Sequence, residues 1–406
     1  MTKAKRRRRA AAAGCLLLAG ALSACSSPSP SASLSPPSPA AVPATPKHPV
    51  TLNILDVAGN LQLTKGMIED FVKAYPNIIA KVTYSKAPSP SMAGKLQAEE
   101  QAGQAQTDLV LTGTDGLSAG IANHLLVRTL PDFSSRFPGL MRNYLPPAAA
   151  MQDLAQGFGI ELVYYPSGPL LEYNPHAVTN PPTSAAALLA WAKAHPGKVE
   201  YAEPENSGPG RTLLMGLPYL LGDSNPKDPV HGWSKTWAYL RELGRYIRYY
   251  PTGTKETMQD LASGGVDMIA STTGWDINPR ALGTVPKDEQ VTLMQPMRWV
   301  TDAQYGVIPK GVSADVLSAD LALLKWMLQP SQQAIAYDDG YFYPGPAVKG
   351  VTLSMAPASS QQVIRTYGRP EYDGWIAGYP KETSLPATEQ VTAFDMWDRL
   401  VGSAKK

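Results

Sequence analysis

The sequence predicts an α/β fold laid out as two successive strand–helix sets. Three observations carry this prediction. From Val50 onward, short apolar runs of strand type alternate with segments whose apolar residues recur at helical spacing. Strands that alternate with helices in this way form parallel sheets covered on both faces. Finally, 406 residues with 44% hydrophobic and 17% charged content are enough for two ordinary cores. That composition excludes a disordered chain, a coiled coil and a collagen-like fibre.

The first set opens with residues 50–57 (VTLNILDV), an alternating strand stopped by Gly59-Asn60. Met67, Ile68, Phe71, Val72 and Tyr75 then share one helical face, closed by Pro76. Residues 78–84 read as a second strand, 91–106 as a second helix and 108–112 as a third strand running into Gly113-Thr114-Asp115-Gly116. In such sheets the ligand crevice lies at the carboxyl ends of the strands. Gly59 and Asn60 should therefore share a rim with Thr114 and Asp115.

The second set begins with a strand at 157–165. Thr183 or Ser184 can cap the Ala/Leu-rich helix that follows and ends at Pro196-Gly197. Ser207-Gly208-Pro209-Gly210-Arg211 opens a helix through Leu221, residues 233–250 form a long amphipathic helix, and 254–263 form another. The apolar run 266–270 is a buried strand that leads into Gly274-Trp275-Asp276.

Charge is balanced overall, with 36 Lys and Arg against 34 Asp and Glu, which gives no basis for a nucleic-acid partner. Six of the basic residues (Lys3, Lys5 and Arg6 to Arg9) stand within the first nine positions, so removing them turns the net +2 into −4. They precede an apolar stretch, Ala10 to Leu22, and then Leu22-Ser23-Ala24-Cys25. That stretch is too short to span ~30 Å of hydrocarbon comfortably. The arrangement resembles a bacterial lipoprotein signal peptide (1–24), which implies that Cys25 is lipidated and becomes the first mature residue. An ordinary secretory signal with a coincidental cysteine is the alternative. The other cysteine, Cys15, lies in the leader, so the body has no disulfide, thiol nucleophile or thiolate metal site. Residues 25–49 are Ser/Pro/Ala-rich and read as a disordered spacer.

Several segments together resemble the solute-binding proteins of ABC importers, nearest the branch that binds polyamines, thiamine and ferric ion. They are Asn174-Pro175 followed by Pro181-Pro182-Thr183, the run 265–270 with Gly274-Trp275-Asp276, residues 305–311 (YGVIPKG), and 323–333 (LLKWMLQPSQQ). The resemblance implies a two-lobe periplasmic-binding-protein fold of type 2. Each lobe would be a mostly parallel sheet flanked by helices, closing by hinge motion on a ligand between them. Lobe 1 is expected to comprise 50–158 plus 296–312, and lobe 2 159–295 plus 313–406. Chain crossings are expected near 157–160, near 291–296 and just after 311. Nothing from Val351 onward matches the family pattern. The implied partners are a small solute and the ABC permease subunits. The implied protein is a monomer that touches the membrane only through its lipid, at the outer face of the cell membrane, and uses no cofactor.

The resemblance also carries the tryptophan and aspartate of polyamine-type binders onto Trp275 and Asp276. A ring and a carboxylate together suit a cation, with cation–π attraction of ~1–2 kcal/mol. A packed Trp beside a capping Asp is the plainer reading. Ser207 at a helix start offers free backbone N–H groups to an anion, or is simply an N-cap. Tyrosine is abundant (19), but Tyr164-Tyr165 and Tyr249-Tyr250 read as packing residues rather than metal ligands, and no His/Cys/Asp spacing reads as a metal site.

The expected function is capture of a small polar or cationic solute, without a catalytic step, by Gly59, Asn60, Thr114, Asp115, Ser207, Trp275 and Asp276. A rival from another class is an exported hydrolase using Ser118, since residues 116–120 (GLSAG) match the nucleophile-elbow pattern. The elbow needs its serine directly after a strand, whereas Ser118 falls inside the next helix. A third reading is a binding protein used for sensing or adhesion.

Overall fold

The computed structural model describes residues 34–57 and 59–405; the leader and Cys25 lie outside the described residues. The first lobe is built on a seven-stranded sheet. Its strands are β1 (Val50–Asp56), β2 (Ile79–Lys86), β3 (Leu109–Gly113) and β4 (Ile160–Gly168), with three later ones. The second lobe holds a four-stranded sheet of β5 (Leu170–Tyr173), β6 (Val199–Glu200), β7 (Met268–Ser271) and β8 (Gln290–Leu293). The chain then returns to the first sheet through β9 (Trp299–Val307), β10 (Gly345–Pro346) and β11 (Lys381–Glu382).

Strand order in the first sheet is β10-β4-β9-β3-β1-β2, with β11 beside β9, and in the second β6-β7-β5-β8. The pairs β1–β2 and β1–β3 are parallel, as the alternating pattern predicts. The sheets are nevertheless mixed, which corrects the expectation of mostly parallel ones. Strand β9 runs antiparallel to β3 and β4, and β5 runs antiparallel to β7 and β8. The reason is connectivity: β4 leaves the first lobe for the second and β9 comes back, so the two meet head to tail. Both are buried along their whole length. This explains why Tyr164 and Tyr165 are both packed although they face opposite sides.

The crossings fall at 168–170, later in the chain than the expected 157–160, and at 294–299, overlapping the expected 291–296. The third is displaced. Residues 314–348 stay with the first lobe, correcting their expected assignment to the second. Leu317, Leu321 and Leu324 of the helix Ala314–Met327 join the same core as Leu52, Ile54 and Met67. Beyond 350 the chain packs mainly on the second lobe, where Tyr372 contributes to a core with Leu170, Ile277 and Trp299. The last long helix, Ala387–Leu400, inserts Trp397 against Tyr201 and Tyr250 of the second lobe and lies along the helix Thr114–Ala122 of the first.

Residues 34–49 were expected to be disordered. Instead, a 3-10 turn spans Pro39–Ala41, Val42 is buried, and the Arg136 guanidinium donates to the carbonyl of Ala44 at 2.8 Å. The Leu34 side chain covers Gly311. Composition alone missed this because one arginine captures backbone carbonyls that the prolines leave unpaired. Ser184 caps its helix as anticipated, accepting from the Ala187 amide at 3.1 Å. The helix near 233–250 is shorter than its amphipathic pattern, ending at Gly244.

Candidate ligand-binding site

A cavity of about 230 Å³ opens between the lobes. From the first lobe it is lined by Val57 at the end of β1, Gly59, Asp115, Tyr165 of β4 and Gln304 of β9. The second lobe brings Asn206, Ser207, Arg211, Thr254, Lys255 and Trp275. Tyr341 and Phe342, on the segment before β10, complete the wall. Four of the seven residues expected to hold solute (Gly59, Asp115, Ser207 and Trp275) therefore share one cavity.

The other three do not line it. Thr114 sits just behind, its hydroxyl donating to Asp302 Oδ1 at 3.0 Å. Asn60 is wholly buried and accepts from the Thr64 hydroxyl at 2.9 Å. Asp276, expected beside Trp275, is fully buried and turned into the protein. Its Oδ2 accepts from Arg369 Nε at 2.7 Å and lies 3.4 Å from Arg280, while the Tyr372 hydroxyl donates to Oδ1. Two guanidiniums already balance its charge, so it offers none to a ligand.

Local sequence explains how the wall is presented. Gly274 sits at φ 101° because the backbone of Gly340 and Tyr341 passes there; a Cβ would lie 2.4 Å from the Gly340 carbonyl. This close approach sets Trp275 against Tyr341, with ring centroids 5.2 Å apart. Tyr341 meets Phe342 at 4.6 Å, and Phe342 stacks on Tyr165 at 4.5 Å. One side of the cavity is thus a row of four rings.

Next to the rings the lining is charged. Arg211, in the helix Gly208–Leu221, extends Nη2 to within 2.6 Å of Asp302 Oδ2 and Nη1 to 3.3 Å from Asp115 Oδ2. Tyr165 also donates to Asp302, at 3.0 Å. Burial by itself would lower the Arg211 pKa, but the two carboxylates hold it above the ordinary value. Burial, then the Asp302 charge, push the Tyr165 phenol well up, so it stays a donor. Ser207 caps its helix by accepting from the Gly210 amide at 3.1 Å and shares a 2.7 Å hydrogen bond with the Thr254 hydroxyl.

Sequence reasoning took Arg211 only as the end of a helix-opening turn and passed over Asp302 and Gln304. The available signal was an aspartate and a glutamine inside the otherwise apolar run 299–307, since a buried polar group in a core strand calls for a partner. Ser118 lies within the helix Thr114–Ala122, 4% exposed, and no histidine hydrogen-bonds to it among the described residues. Tyr250 is buried, while Tyr249 bonds to Asp260, as packing residues do. No group of three or more metal-ligating side chains occurs among the described residues.

Solved structures with the same architecture include a periplasmic thiamin binding protein, with 15% identity, TM-score 0.60, and coverage of 89% of this chain and 99% of that one. The apo ferric ion-binding protein A of Pasteurella haemolytica has 14% identity and TM-score 0.60, covering 87% and 98%. The spermidine/putrescine ABC transporter substrate-binding protein of Streptococcus pneumoniae has 15% identity and TM-score 0.54, covering 86% and 99%. At such identities the likeness is one of fold. No curated protein matches the chain. The family model described as bacterial extracellular solute-binding protein matches residues 66–364, most of the sequence. The chain therefore belongs to the bacterial extracellular solute-binding protein family.

Proposed function

We propose that this protein is the solute-capturing component of an ABC importer, lipid-anchored through Cys25 at the outer face of the cell membrane. It holds a small polar solute between its lobes and hands it to a membrane permease. The observation that carries this reading is a cavity lined by residues of both lobes, with Gly59 and Asp115 from the first and Ser207, Arg211 and Trp275 from the second. Neither lobe alone encloses that space. Solute bridging the two favours the closed arrangement by its differential affinity for it, and closure presents a distinct face to the permease. The two covalent passages between the sheets at 168–170 and 294–299 are where such a hinge would flex.

Trp275 is the wall residue chosen as a probe, because its ring reaches the cavity from the second lobe while leaning on Tyr341 of the first. A thermal-shift screen of the full chain against polyamines, thiamine, ferric ion, sugars and phosphonates identifies the solute class. Trp275→Ala is expected to abolish the shift that the screen finds. An unchanged affinity in that variant would remove Trp275 from the solute site.

A further inference from the structure

Resting on the solute-capture reading, we propose that the cleft selects a small hydroxylated solute bearing an oxyanion, a phosphate or a carboxylate. Two helices of the second lobe, Gly208–Leu221 and Thr254–Ala262, begin side by side at the cavity, tied by the Ser207–Thr254 hydrogen bond of 2.7 Å. The second of them is capped by Gly253, which has no side chain to fill the space before its first amides. Each helix start carries the equivalent of about half a positive charge.

An independent observation points the same way. Arg211 is 2% exposed and lines the cavity, yet its Nε and Nη1 have no hydrogen-bond partner. Nη1 lies 3.3 Å from Asp115 Oδ2 without a hydrogen bond to it. Unpaired buried guanidinium donors are costly, and oxyanion oxygens satisfy such donors with charge-assisted hydrogen bonds. Lys255, exposed at the mouth of the same cavity, adds a second cation. Asp115 and Asp302 are the counter-charges of Arg211 and Lys255, and the two helix starts add positive potential beside them.

The remaining unpaired groups are acceptors. Asp115 Oδ1 and Gln304 Oε1 are buried without partners, and both residues line the cavity. They call for donors on the ligand, and hydroxyl groups supply them beside an anion. Trp275 and Tyr341 offer ring faces to the apolar side of such a solute. Asp276, the group that would have favoured a cation, is occupied by Arg280 and Arg369. A cavity of about 230 Å³ confines the solute to less than drug size.

The test is a thermal-shift and titration comparison on the full chain with three panels. The first holds hexose phosphates, aldonates and hydroxy-dicarboxylates; the second neutral sugars; the third putrescine, spermidine and thiamine. Stabilisation should appear in the first panel, its phosphate and carboxylate arms identifying the oxyanion. Lys255→Glu should weaken that binding about tenfold, the ratio a ~1.4 kcal/mol change produces, while Lys255→Arg retains it. Binding confined to a neutral sugar or an amine, and indifferent to Lys255→Glu, would overturn the oxyanion and leave solute capture standing. Silence in all three panels would overturn both.

Discussion

Arg211 on the second lobe lies 3.3 Å from Asp115 on the first, an ion pair that spans the cleft. The same guanidinium reaches Asp302 of the crossing strand β9 at 2.6 Å. One side chain therefore ties together both lobes and the passage between them.

Removing one member of a buried ion pair costs more than the pair is worth, because it strands the other charge. Arg211→Met is therefore expected to destabilise the protein by about 3–5 kcal/mol in urea unfolding. The double variant Arg211→Met with Asp302→Asn should recover part of that loss. Equal stability of the single and double variants would contradict the assignment of Asp302 as the stranded charge.

Asp276 anchors the C-terminal region to the loop that carries Trp275, through Arg369 at 2.7 Å and Tyr372. Burial lowers the Arg280 pKa and the neighbouring Arg369 lowers it further, so the aspartate separates two cations that would otherwise repel. Asp276→Ala is expected to lower stability by about 3–5 kcal/mol. Asp276→Asn, which keeps a hydrogen-bond acceptor, should cost less. A loss of solute affinity with unchanged unfolding would instead return Asp276 to the cleft.

Burial pushes the Glu200 carboxyl up to about 8, and Asp260 adds to the rise. Burial and Asp288 raise Glu289 to about 7. Both stay protonated in the fold where the unfolded chain is ionised. Their stabilisation is complete below the ordinary carboxyl value of 4.5 and is lost as pH rises through 7 to 8. Glu200→Gln, neutral throughout, should show a Tm that declines less than wild type across that window. Parallel curves would mean that Glu200 is already ionised in the fold.

The proposed lipid anchor is Cys25. Cys25→Ser is expected to remove metabolic labelling by palmitate and to move the protein from the membrane fraction to the soluble extracytoplasmic one. Retention in the membrane without that cysteine would replace the lipid with another anchor.

Much of the fold is legible in the sequence because its signals are local. The strands β1 to β3 and their helices announce themselves by periodicity, and Gly59, Asp115, Ser207 and Trp275 stand where chain turns meet the cavity. What escaped was decided over distance. Asp276 adjoins Trp275 in sequence, yet its partner Arg369 is 93 residues away, and that contact turns it from the cleft. Arg211 reads as the end of a helix-opening turn until Asp302, 91 residues on, gives it a counter-charge. The return of 314–348 to the first lobe is likewise invisible locally, since an apolar helix face does not say which core it joins.

The central claim is mechanical: two lobes close on a solute held between them. Small-angle X-ray scattering of the full chain, alone and saturated with the solute found by the screen, tests it most directly. The account predicts a smaller radius of gyration with solute, and loss of that contraction in Trp275→Ala. Identical scattering with and without saturating solute would contradict it.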